Sequence, residues 1–452
     1  MRIAMIGTGY VGLVSGACFS EFGVSVTCVD KDADKIARLQ RGEVPIYEPG
    51  LDQLVAVNKA AGRLTFTTDL KAALDGAEAV FIAVGTPSRR GDGHADLSYV
   101  FAAAAEIAET LAQLPSNRTV VVTKSTVPVG TGRRVERILS MRLPTGAFDV
   151  ASNPEFLREG SAIQDFMRPD RVVIGTMSEY ARTVLRALYR PLYLLETPVV
   201  FTTIETAELI KYAANAFLAT KVTFINQIAD LCEAVGADVQ DVAHGIGLDG
   251  RIGRKFLHAG PGFGGSCFPK DCAALVRTAE EAGRPVTMIE DVLKINDARK
   301  RGMAERIITA CGGEIAGKTL AVLGLTFKPN TDDMRDSPSL SILPPLVEAG
   351  AAVHAFDPEG MVEAKKLLPE IEYCGDAYQA IEGADALVLL TEWNEFRALD
   401  LARVKSLLRS PIVVDLRNIY QPQEMTDAGF VYHSIGRTAG EPLANPHLRA
   451  IA

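Results

Sequence analysis

The run IAMIGTGYVG (3–12) leaves this chain little freedom in how it begins. Its first residues are apolar and read as a buried strand, and glycines follow at positions 7, 9 and 12. A strand that turns through glycine straight into an apolar helix opens a strand–helix–strand unit, and such units wind with one hand. Further β-rich runs follow at VSVTCVD (24–30), AVFIAVG (79–85), TVVVTKS (119–125) and FDVASNP (148–154), with amphipathic stretches between them. That alternation predicts an α/β fold with a doubly wound parallel sheet. Residues 3–20 carry no charge and follow Arg2, as a secretion signal would, but glycines 7, 9, 12 and 16 interrupt them. The stretch suits a tight turn better than a signal helix. No other segment is long and apolar enough to span a membrane.

From Thr206 to Gly236 the pattern changes to TAELIKYAANAFLATKVTFINQIADLCEAVG, with no proline and no glycine until its end. As one helix it would run about 45 Å at about 1.5 Å per residue, long enough to join domains. A glycine-rich segment, GIGLDGRIGRKFLHAGPGFGGSCFPKD (245–271), comes next, then more helix to about Cys311. The last third restarts the first theme with TLAVLG (319–324), AAVHAFDP (351–358), DALVLLTEW (385–393), PIVVDLRN (411–418) and FVYHSIG (430–436). This predicts a second sheet with the same winding. Its first strand leads into GLTFKPN, so the glycine spacing of the first is absent. A length of 452 residues predicts roughly three domains at about 150 residues each. The expected boundaries are 1–200, 201–312 and 313–452.

With 47 basic and 56 acidic residues the net charge is −9, so no basic excess exists to neutralise a phosphate backbone. A general nucleic-acid partner is excluded on that ground. The seven cysteines are scattered without a CxxC pair, and the six histidines show no close ligand spacing. Neither a metal site nor a disulfide framework is expected, and free thiols fit a reducing cytoplasm.

The glycine turn itself specifies a ligand class. Gly7 permits the turn, Gly9 lets the backbone approach a pyrophosphate, and Gly12 lets helix and strand pack closely. Tyr10 and Val11 lie at the start of the helix, where free N–H groups and the dipole favour an anion. Asp30 ends the next strand, where a carboxylate takes ribose hydroxyls and repels a 2′-phosphate, so NAD is expected over NADP. Lys31 and Lys35 partly offset that repulsion.

A thiol stands at a second helix start. Pro269 suits the first helical position and places Cys267 just before it. Free N–H groups, the dipole and Lys270 there would stabilise a thiolate, and glycines 262, 264 and 265 leave room for a substrate. The residues alone leave two readings open, a nucleophile or a small buried cysteine, with Asp271 an ordinary first-turn carboxylate. Cys272 is expected to face the core. Lys211 and Asn215 share a helix face, and spacing alone favours the solvent side for both. Glu155 and Glu159 follow a strand end, where ligands bind in such sheets, or else they are solvated turn residues. Thr86 and Thr126 follow strand ends as well.

Taken in order, GTGYVGLV, VGTPS, STVPVGT, NPEFLREG, ELIKYAANAFLATKV, GPGFGGSCFPKD and FKPNTDDMRDSPS resemble the UDP-glucose/GDP-mannose dehydrogenase family. The resemblance runs from Met1 to about Gly436. It implies two Rossmann-like doubly wound domains joined by a long central helix, and a two-step oxidation of a sugar primary alcohol to a carboxylate with two NAD. It makes Cys267 the nucleophile, Lys211 and Asn215 the oxyanion stabilisers, and Asp271, Thr126, Glu155 and Glu159 the residues that position water and relay protons. On the same ground NAD would meet the glycine turn, Asp30, Lys35, Thr86, Thr126, Glu155, Lys270 and Arg335. The sugar nucleotide would meet Glu155, Phe156, Leu157, Arg158, Lys211, Asn215, Phe256, Leu257, His258, Ala259, Gly260, Phe263, Gly264 and Lys328. Arg251 would reach a neighbouring subunit's substrate, which implies a homodimer.

The wording FGGSCFPKD and TDDMRDSPS looks more like members acting on UDP-glucose than on GDP-mannose or a UDP-N-acetylhexosamine. A single-hydride 3-hydroxyacid dehydrogenase and a non-catalytic NAD-sensing module are the readings of other classes.

Overall fold

The computed structural model describes residues 1–89, 93–115 and 118–437, so the end of the expected third domain, 438–452, lies outside the described residues. The chain divides into two compact units, Met1–Ala214 with Arg277–Arg284, and Asn215–Val276 with Pro285–Ala452.

The first unit holds β1 (Arg2–Ile6), β2 (Ser25–Val29), β3 (Leu64–Thr67), β4 (Ala79–Ile82), β5 (Thr119–Thr123), β6 (Phe148–Ser152), β7 (Val172–Gly175) and β8 (Val199–Thr202). They form one sheet in the order β3-β2-β1-β4-β5-β6-β7-β8. The second unit holds β9 (Thr319–Leu323), β10 (Ala352–Phe356), β11 (Glu372–Tyr373), β12 (Ala386–Leu389), β13 (Ile412–Asp415) and β14 (Val431–Ser434), in the order β11-β10-β9-β12-β13-β14. The first six strands of one sheet and all six of the other are therefore wound alike, and in each the order reverses beside the first strand. Ligands bind at that reversal, outside the carboxyl ends of the strands.

The repetition extends to single hydrogen bonds. Gly7 N donates to Val29 O at 2.8 Å and Gly324 N to Phe356 O at 2.9 Å, each closing the turn after the first strand. Both glycines have positive φ, 101° and 90°, where a side chain would be strained.

Helices cover both faces of each sheet. The helix Tyr10–Glu21 is buried from Gly12 to Ser20, which explains an apolar sequence without a polar stripe. The long helix spans Ile204–Val235, and Gly236 stops it with φ 79°. Among the described residues no helix is long and apolar enough to cross a membrane.

Four strands were not foreseen: β3, β7, β8 and β11. They are two to four residues long, too short for periodicity to separate them from loop. The first sheet is also not wholly parallel, because β6 and β7 pair antiparallel through Ser152 and Gly175.

Candidate active site

Four loops gather at the carboxyl ends of β1, β2, β4 and β5 in the first unit. Thr8 donates to Asp30 Oδ2 through its amide at 2.9 Å and its hydroxyl at 2.6 Å. Lys35 Nζ stands 3.3 Å from the same oxygen. Burial raises the Asp30 carboxyl pKa, but the Thr8 bonds, the Asp32 amide and Lys35 outweigh it and hold the group below its ordinary value. Thr86 Oγ1 donates to Thr126 O at 3.0 Å and Ser125 Oγ to Val84 O at 2.7 Å, so the exits of β4 and β5 are tied together. Tyr10 donates its hydroxyl to Glu48, which also accepts from Gly160 N at 2.6 Å and Ala162 N at 2.7 Å. Glu48 thereby fastens the helix after β1 to the segment that carries Glu155 and Glu159, a link with no local signal in the sequence.

A buried ion pair of this unit involves that segment. Lys211 Nζ pairs with Glu155 Oε1 at 3.0 Å, and the two side chains are 4% and 6% exposed. Spacing had favoured the solvent side for Lys211; the helix turns it inward, where its charge needs a partner. Leu157 N donates to Glu155 Oε2 at 2.5 Å, and the Phe156 ring lies 5.5 Å from Lys211 Nζ. Arg158 is held by Asp165, with bonds of 2.6–3.2 Å, and Glu159 is half-buried. A second lysine, Lys124 at the end of β5, was not foreseen. It is 3% exposed and its Nζ meets Asn153 Oδ1 at 3.2 Å and the Tyr189 hydroxyl at 3.4 Å. Burial pushes its ammonium down to about 8, with Lys211 lowering it further and Glu155 opposing.

The second unit carries the thiol. Asp271 N donates to Cys267 O at 2.8 Å, so Cys267 caps the helix Phe268–Glu281, and Pro269 is its second residue rather than its first. Of seven cysteines, all free, Cys267 is the one that is not buried. Cys272 faces the core, where burial and then Asp271 push its thiol up to about 12. Asp271 is 0% exposed; Asn215 Nδ2 donates to its Oδ2 at 2.6 Å, and Lys270 Nζ pairs with its Oδ1. Asn215 is thus buried too, contrary to the solvent-side reading. The helix-start cysteine, its lysine and its hydrogen-bonded carboxylate together can hold a thiolate and steer a proton.

The loop before the thiol is pinned from two helices of the same unit. Asn226 Oδ1 accepts from Gly260 N at 2.9 Å, and Arg299 Nε donates to Gly260 O at 2.7 Å. Asn296 exchanges two bonds with Phe263, of 2.8 and 3.0 Å. Phe256 sits at φ 64°, an uncommon conformation for a bulky residue. Leu257, Ala259, Gly260, Phe263 and Gly264 are buried while His258 is exposed. Lys328 is half-buried, and Arg335 pairs with Asp333 at 2.7 Å. Arg251 pairs with Asp249, its side chain 89% exposed.

Residues 1–193 match the NAD-binding domain of the UDP-glucose/GDP-mannose dehydrogenase family, 205–298 its central domain, and 321–422 its UDP-binding domain. This chain belongs to that family. A UDP-glucose 6-dehydrogenase of Rhizobium meliloti is 62% identical over 97% of this chain and 100% of its own length. One of Pseudomonas aeruginosa is 47% identical over 97% and 98%. The structure of a UDP-glucose dehydrogenase from Pyrobaculum islandicum, 37% identical, superposes with a TM-score of 0.87 over 97% of this chain and 98% of that one.

The residues present fit the NAD that this family's first domain binds. A Cβ at Gly9 would meet nothing within 4 Å, so space for a pyrophosphate lies against bare backbone. A Cβ at Gly12 would fall 2.0 Å from Gly7 O, so that glycine serves the fold. Gly9→Ala is therefore expected to keep its melting temperature within about 2 °C of the parent and to weaken NAD binding by about tenfold or more, read by calorimetry. Gly12→Ala should lose more than about 2 kcal/mol of stability in urea titration.

Lys124 generates a second expectation. Its pKa in the folded chain, about 8, lies below the ordinary 10.5, so the unfolded chain holds more protons between those values and stability rises with pH across that window. Lys124→Met should abolish that rise and, with no ammonium to desolvate, be the more stable protein at pH 7. Unfolding midpoints of the two proteins at pH 7 and 10 check both signs.

Proposed function

We propose that this chain oxidises UDP-glucose to UDP-glucuronate in two steps, with Cys267 carrying the intermediate between them. The supporting observation is the thiol itself: a helix-capping, half-exposed cysteine among six buried ones, beside Lys270 and the Asp271–Asn215 pair. An enzyme that stops at a carbonyl has no use for it.

Gly9 and Asp30 would hold NAD, which would supply the hydride acceptor, one NAD for each oxidation. In the first, the C6 hydroxyl of the glucose gives up a proton, its carbon gives up a hydride, and an aldehyde results. The Cys267 thiolate then adds to that carbon, and the new oxyanion is stabilised by Lys211 and Asn215. Protonated, this adduct is a thiohemiacetal, whose carbon again carries a transferable hydrogen. Loss of that hydride and of the hydroxyl proton gives a thioester. Water, guided by Asp271, Thr126, Glu155 or Glu159, attacks the carbonyl; the carbon–sulfur bond breaks, and thiolate and carboxylate result. Phe256 to Gly260, Phe263, Gly264 and Lys328 would hold the sugar nucleotide. We assign UDP-glucose rather than another sugar nucleotide because the relative at 62% identity is a UDP-glucose 6-dehydrogenase, while a UDP-D-ManNAc dehydrogenase from Pyrococcus horikoshii is 27% identical.

The enzyme would work as a homodimer. Phe217, Phe224 and Leu231 recur every seventh residue on the long helix and are 64%, 49% and 54% exposed. Exposed apolar side chains aligned in this way suit a protein contact, and a second copy presenting the same helix face would cover them. The free cysteines suit a cytoplasmic location.

Counting NADH released per UDP-glucose consumed tests the reaction, with two expected and one sufficient to reject it. Cys267→Ser should lower acid formation on the order of 10³-fold or more, with NAD affinity unchanged in calorimetry. Phe217→Glu combined with Phe224→Glu should shift the protein to monomer in light scattering.

A further inference from the structure

We propose that Phe327 is a positioning residue for the Cys267 thiol, its ring forming the wall against which the two glycines before that cysteine are laid. The inference rests on the two-step reading above and names what aligns the sulfur for the second step. It is carried by close packing within the second unit. A Cβ on Gly265 would lie 2.7 Å from Phe327 Cε2 and Cζ, and one on Gly264 would lie 2.2 Å from Asp336 O and 3.3 Å from Phe327 Cβ. Gly265 N also donates to Arg335 O at 2.9 Å. The segment Gly264-Gly265 is therefore glycine because an aromatic ring and a backbone carbonyl occupy the places of its side chains. Ser266 and Cys267 follow directly, and Cys267 caps the helix.

The ring is held at least as firmly as the thing it positions. Phe327 follows β9 on a loop gathered by Asp357, at the end of β10. The Asp357 carboxylate accepts from Leu325 N at 2.7 Å and from Thr326 N and Thr326 Oγ1, both at 3.0 Å. Trp393 Nε1 at 3.3 Å, Glu359 N at 3.0 Å and Gly360 N at 2.7 Å complete its shell. Leu325 O accepts the hydroxyls of Ser337 and Ser339, each at 2.6 Å, and Arg417 Nη2 donates to Phe327 O at 2.9 Å. Such a loop cannot slide without breaking buried hydrogen bonds. Lys328 Nζ lies 5.3 Å from the centroid of the same ring. The ring thus neighbours both a lysine expected on the sugar nucleotide and the glycines leading to the thiol.

A ring that only filled space would affect stability and both oxidations alike. A ring that aligns the sulfur affects the step that uses the sulfur. The test compares the whole enzyme with Phe327→Leu and with Phe327→Met, whose flexible side chain adapts to the vacated space and guards against a folding failure. Two readouts are taken: the iodoacetamide alkylation rate at Cys267, located by peptide mapping, and the aldehyde trapped by a hydrazide during turnover of UDP-glucose. The variants should shift the alkylation rate by about threefold or more and slow aldehyde oxidation by about tenfold to 10²-fold, since ångström misplacements cost that much. Aldehyde should be trapped from the variants and not from the parent, while the first NADH forms within about threefold of the parent rate. Parent-like alkylation with no trapped aldehyde would overturn the proposal, as would equal slowing of both oxidations. One NADH per substrate from the parent enzyme would instead reject the two-step reading, and the alkylation comparison, which needs no substrate, would still judge the contact.

Discussion

A carboxylate at the tip of the second strand accepts hydrogen bonds from the loop leaving the first strand, and the chain does this twice. Asp30 takes the amide and hydroxyl of Thr8; Asp357 takes the amide and hydroxyl of Thr326. Each bond set fixes where a loop stands at the carboxyl edge of its sheet. The two acids differ in what remains to them. Asp30 is half-buried, and its Oδ1 accepts from the Asp32 amide at a long 3.2 Å. Asp357 is 0% exposed and encircled by donors, so it has nothing left for a ribose. The second sheet keeps the winding of the first and spends its acid on architecture.

Buried ionic groups do much of the remaining fastening. Glu208, on the long helix, accepts from Gly130 N and Gly132 N, each at 2.7 Å, at the start of the helix Thr131–Ser140. Burial raises its carboxyl to about 7 against the pull of those two amides. Arg299 ties Gly260 O to Asp230, at 2.7 Å to each. Removing one member of such a set leaves the other charged and dry, which is why these contacts specify geometry more than they add stability.

The glycine turn, its strand and its acid were readable because they answer local backbone needs within thirty residues. The repeat of strands was readable for the same reason. The orientation of the long helix was not. Its exposed residues include Phe217 and Phe224 while Lys211 and Asn215 are buried. Polarity therefore pointed the wrong way, since the usual rule assumes water on the outer face. Lys124, Glu48, Glu208, Arg299 and Asp357 were invisible because their partners are distant in sequence. A polar residue set among apolar ones, as in VVVTKS, was the one available hint.

Gly9 and Gly12 look alike in the sequence and answer to different masters. At position 12 the obstacle is a backbone oxygen, so no change elsewhere among the side chains can make room. At position 9 nothing in the protein objects; only the ligand does. In a descendant that gave up its cofactor, the codon for residue 9 would be free to drift while that for residue 12 stayed frozen. The second sheet already has that character: it retains Gly324, hemmed in by Thr391, and nothing that stands for Gly9. Two identical letters can thus record separate pressures, one from folding and one from use.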